Sequence, residues 1–173
     1  MDVRYINPFI LAVQNVFKTM LNVEVLVSKP LIKTKESPTS DVSAIIGLSG
    51  PVSGSVTLCF SKQVAVRVAS TLAGTELSVY EPADLTDALG ELTNMVAGQA
   101  KIQLPQSNIT ISLPRVILGD QHRLLESRTS PVLLLPCDSS IGRFSVEVTL
   151  LTKRFCPFTV EVDLGVKRRQ QSV

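Results

Sequence analysis

At 173 residues, with 45% hydrophobic and 18% charged side chains, the chain holds one well-filled core, is too short for two ordinary domains, and is too apolar for a disordered polymer. A net charge of +2, with basic residues grouped only at Lys167, Arg168 and Arg169 and no aromatics among them, leaves nucleic-acid binding without an electrostatic or stacking footprint. Three scattered cysteines with no C-x-x-C pair and a single histidine, His122, argue against disulfide and zinc frameworks and exclude multi-histidine metal sites.

The first periodic segment places Phe9, Ile10, Val13, Val16, Phe17, Met20 and Leu21 on one face of a helix, with Pro8 suited to its first turn. A short β-branched run, Val23 to Val27, follows, and the polar stretch from Lys33 to Asp41 reads as a loop. Val42 to Phe60 predicts a hairpin turning at Gly50-Pro51-Val52-Ser53-Gly54. Ser61 caps a second helix, Gln63 to about Ala73, which Gly74 ends. A third helix opens at Pro82 or Asp84 and runs to about Lys101, before Pro105. The remainder predicts strands at Ile109 to Leu113, Arg115 to Leu118, Val132 to Leu135, Phe144 to Leu151 and Phe158 to Val162. Helix, strands, helices and strands in that order, without β-α-β alternation, predict a single α+β domain over residues 1–165 with helices on a largely antiparallel sheet. Residues 166–173 read as a basic, solvated tail.

No apolar run approaches the roughly 18 residues of a membrane span, and Asn7, Pro8, Gln14 and Asn15 interrupt any signal-peptide pattern, so a soluble cytoplasmic protein is expected. Cys59 and Cys137 sit in apolar runs and read as buried, reduced thiols. A serine triad would need His122, which falls in a loop-like G-D-Q-H stretch, and is rejected.

The third helix carries the candidate chemistry. At about 100° per residue, Leu85, Ala88, Leu89, Leu92, Val96 and Gln99 gather in one arc that faces the core. Asp87, Glu91, Asn94 and Gly98 follow at i, i+4, i+7 and i+11, a second stripe displaced by roughly 130°. A carboxylate and a carboxamide therefore project side by side. E-x-x-N alone is common by chance, but Gly90 and Gly98 flank the pair inside a helix, where each costs about 1 kcal/mol relative to alanine. Their missing side chains predict close approach of a partner surface or a neighbouring helix.

The stretch Asp87-x3-Glu91-x2-Asn94-Met95-x2-Gly98-x-Ala100 resembles the D/S-x3-E-x2-N signature of the CheC, CheX and FliY phosphatases. Met1 to Phe9, Val16 to Met20, Ile45 to Gly50 and Gly54-Ser55-Val56 are similar to the CheX branch in particular. Placing Asn15 over Asn94 sets Ala12 opposite Glu91, so the first helix reads as a degenerate copy that lacks the acid, leaving one active site per chain.

The resemblance implies a phosphatase for the aspartyl phosphate of a CheY-like receiver domain in two-component or chemotaxis signalling. Asn94 would orient the attacking water, Glu91 would dock on the receiver lysine, and Asp87, Gly90 and Gly98 would line the receiver contact. It also implies no cofactor of the chain's own, since magnesium comes with the receiver, and a homodimer joined through strands, for which the C-terminal third offers edges. The alternative is a non-catalytic receiver-binding or flagellar-switch module that uses the same helix. Sequence alone does not name the cognate receiver.

Overall fold

Three helices form where the periodicity places them. Helix α1 (Asn7–Leu21) has Pro8 in its first turn and buries Phe9, Ala12, Val13, Val16, Phe17 and Leu21. It closes on Asn22, held left-handed at φ 53°, whose N–H donates to the Phe17 carbonyl. Helix α2 (Lys62–Ala73) is capped by the Ser61 hydroxyl, which accepts from the Val64 N–H, and stops at Gly74 with φ 66°. Helix α3 (Pro82–Gln103) runs two residues past the expected end. The computed structural model describes residues 3–35, 37–75, 81–105, 108–122 and 131–152. The strand expected at Phe158 to Val162, Cys156 and the basic tail lie outside the described residues.

The described strands are β1 (Val25–Val27), β2 (Leu31–Ile32), β3 (Ser40–Ser49), β4 (Val52–Phe60), β5 (Thr110–Ile111), β6 (Arg115–His122), β7 (Leu133–Ser139) and β8 (Phe144–Thr152). They form one antiparallel sheet in the order β1-β7-β8-β4-β3-β5, with β2 also on β7 and β6 also on β3. Within the C-terminal third, β6 is an edge among the described residues, whereas β7 and β8 are both interior.

One face of the sheet carries the helices. Val52, Val56, Leu58 and Phe60 of β4 alternate into the core beside Phe144, Val146, Val148 and Leu150 of β8. The Phe17 ring from α1 stacks on Phe144 with centroids 4.7 Å apart, tying the first helix to the last described strand. At Gly54, φ is +151° and an added Cβ would fall 1.8 Å from the Thr149 carbonyl oxygen, so β4 and β8 pair this closely only with glycine there.

The opposite face of the sheet departs from expectation. Lys33, in a stretch that reads as a polar loop, is buried: its Nζ lies 2.9 Å from both carboxylate oxygens of Glu147 on β8, with the two side chains 4% and 8% exposed. Ion pairing makes that burial tolerable, because each charge satisfies the other away from water. The short strand β2, which precedes Lys33, has no counterpart in the sequence reading, since two residues carry no readable alternation. His122 stands at the end of strand β6 rather than in a loop. Burial pushes the thiols of Cys59 and Cys137 up to about 12, as expected of sealed, reduced cysteines. Among the described residues, no helix is long and apolar enough to cross a membrane.

Candidate functional site

Helix α3 packs against α1, α2 and the sheet, and buries Leu85, Leu89, Gly90, Leu92, Thr93, Val96, Ala97 and Ala100. Thr93 is accommodated because its hydroxyl donates to the Leu89 carbonyl at 2.6 Å. Ala88 and Gln99, expected in the core arc, are only half-buried, and Gln99 Oε1 has no hydrogen-bond partner among the described residues. The centre of the buried face is thus rotated toward Gly90 and Thr93.

On the other side, Asp87 and Glu91 are exposed, and Asn94 and Gly98 are half-buried. No hydrogen bond or ion pair joins Glu91 or Asn94 to another described residue. Three residues apart on a helix, their Cβ atoms stand about 5–6 Å from one another. The arrangement is an acceptor carboxylate beside an amide that both donates and accepts, each available to an incoming molecule.

The two glycines have different surroundings. A Cβ at Gly90 would lie 3.4 Å from Pro114 Cγ, so the close approach there comes from the connection between β5 and β6. Among the described residues the neighbour at this glycine is therefore a connection between strands and not a helix. That connection is anchored: Ser112 N–H donates to the Gly47 carbonyl at 2.9 Å, and Gly47 N–H donates to Ser112 Oγ at 3.0 Å. Gly98 differs, because nothing lies within 4 Å of an added Cβ. Between α3 and the connection runs a cleft of about 410 Å³ lined by Thr86, Asp87, Gly90, Glu91, Pro114 and Val116. Nothing in the sequence singles out Pro114 or Val116, and Gly90 is the one local signal that something packs there.

Helix α1 shows why it is not a second copy of this site. Ala12, opposite Glu91 in the internal comparison, is fully buried, while Asn15 is exposed. His122 does meet a serine, with Nε2 2.7 Å from Ser43 Oγ, but Nδ1 faces the Gly119 carbonyl at 3.0 Å and Ser43 is fully buried. A sealed hydroxyl whose imidazole turns its second nitrogen to a backbone carbonyl is not a triad. Among the described residues, no group of three or more His, Cys, Asp or Glu could hold a metal ion.

Residues 42–138 match the family described as "Chemotaxis phosphatase CheX". The chain is 32% identical over 123 residues to the CheY-P phosphatase CheX of Thermotoga maritima, covering 69% of this chain and 78% of that protein. It superposes on a crystal structure of the chemotaxis protein CheX from Desulfovibrio desulfuricans with a TM-score of 0.77 and 33% identity, covering 85% of this chain and 99% of that one. A CheX-CheY-BeF3-Mg complex from Borrelia burgdorferi matches with a TM-score of 0.70 and 27% identity, covering 84% and 97% of the two chains. With its α+β architecture, the chain belongs to the CheX family of chemotaxis phosphatases.

Proposed function

We propose that this chain hydrolyses the aspartyl phosphate of a CheY-like receiver domain in the cytoplasm. The observation that carries the reading is the pairing of Glu91 with Asn94 on one open face of α3, neither engaged by another described residue. Water attacks phosphorus in line, the bond from phosphorus to the receiver's aspartate oxygen breaks, and the products are inorganic phosphate and a free carboxylate. Magnesium belongs to the receiver's own phosphorylation site and arrives with the substrate.

Such a transfer needs positioning and charge stabilisation more than a new acid or base. Asn94 inserts its carboxamide and orients the water, while Glu91 pairs with a lysine beside the phosphorylated aspartate and sets the register of the helix. Orienting the water supplies about 3–4 kcal/mol, or two to three orders of magnitude in rate. Strand edges at β1, β2, β5 and β6 support a homodimer joined through strands, which light scattering at micromolar concentration tests.

The decisive assay is single-turnover phosphate release from a phosphorylated receiver. Asn94→Ala is expected to lose about a hundredfold or more in rate while still binding, and Glu91→Lys to bind weakly. Full activity in Asn94→Ala would dismiss the mechanism.

A further inference from the structure

Beyond the acid–amide pair, the two most exposed large hydrophobic residues of the described chain are Leu113, 86% exposed, and Ile102, 83% exposed. Ile102 continues the α3 stripe, and Leu113 adjoins Pro114, which packs on that helix at Gly90. Ile102 lies eleven residues after Glu91, within about 20° of it around the helix and about 16 Å further along the axis. Gly98 leaves a notch between Asn94 and Ile102, because nothing beyond the adjoining helix backbone comes within 4 Å of where its Cβ would be. On the other side, Pro114 lines the cleft that Glu91 and Asp87 also line, and Leu113 is its exposed neighbour in the chain. The residue before Leu113, Ser112, is tied to Gly47 by two hydrogen bonds.

We infer that Ile102 and Leu113 are the apolar anchors of the receiver-docking surface, one at each end of the Glu91–Asn94 pair. The inference rests on the proposed function and adds residues that determine affinity. A specific interface takes about 800 Å² from each partner, far more than one carboxylate and one amide present, so the surface around them must contribute. Among the described residues bordering the pair, these two hold the largest apolar side chains out into solvent. Leu113 is also held at low conformational cost, since its turn is already fixed by Ser112 and Pro114.

The occupant is the same receiver domain whose phosphorylated pocket meets Glu91 and Asn94. Its contact surface therefore carries apolar side chains on both sides of that pocket. Binding energy at a protein interface is concentrated in a few well-packed residues, so two anchors beside the pair can dominate affinity.

The test uses the full chain and single-domain receivers of the source organism phosphorylated with acetyl phosphate. Ile102→Ser and Leu113→Ser are each expected to raise KM about tenfold and the double variant more, with kcat within about twofold of the unsubstituted chain. Leu26→Ser, at a residue 74% exposed on strand β1, is the control and leaves KM unchanged. Urea melts confirm that each variant folds. A double variant with unchanged KM, in a chain whose turnover Asn94→Ala still abolishes, overturns the anchors and leaves the proposed function standing. A chain that releases phosphate from none of the receivers overturns both.

Discussion

Replacing Gly98 with alanine separates stability from function, because the two are expected to move in opposite directions. The residue sits in the interior of a 22-residue helix with nothing within 4 Å of an added Cβ. The methyl therefore meets no clash and relieves the conformational cost of glycine, about 1 kcal/mol in a helix interior. For a domain of this size that corresponds to a rise of about 2–4 °C in Tm. The same methyl fills the notch between Asn94 and Ile102. With a receiver backbone seated there, overpacking costs about 1–3 kcal/mol, or roughly five- to 150-fold in KM. Urea melts and steady-state phosphate release on one preparation measure both. Lower stability would show that residue 98 is packed against something, and higher stability with unchanged KM would refute its place in docking.

Two further outcomes concern the scaffold. Lys33→Met leaves Glu147 buried without its cation and is expected to cost about 3–5 kcal/mol in urea unfolding, whereas Lys33→Met with Glu147→Leu recovers most of that loss; equal destabilisation by both would refute the pairing argument. Cys59 and Cys137 are neutral in the folded chain up to about pH 12, while unfolded thiols ionise near about 8.5. Their contribution is therefore complete below that unfolded value and declines as pH rises through it toward 12. A thiol reagent at about pH 8 should label neither residue in the native chain and both after unfolding, scored by peptide mapping so that Cys156 is counted separately.

Much of the fold is legible in the sequence because its signals are local. The Ser61 cap, the Gly74 stop, the turn at Gly50 and the apolar spacing of α1 each act over a few residues. The Glu91–Asn94 stripe is legible for the same reason, since helical spacing alone sets two side chains three residues apart on one side. Lys33 misleads because a lysine in a polar stretch is ordinarily solvated, and its partner lies 114 residues away. His122 misleads because Gly119, Asp120 and Gln121 carry turn chemistry, yet pairing with β3 extends the strand to Ser40↔His122.

Local sequence thus determined the elements, their caps and the polar stripe of α3, through steric and hydrogen-bonding preferences that operate within a turn or two. Tertiary structure decided what the stripe stands beside. Pro114 reaches Gly90 and lines one cleft with Glu91 only because strand order folds the β5–β6 connection against the helix. Contacts between residues distant in the chain depend on the path of the whole backbone, which no short window of sequence encodes.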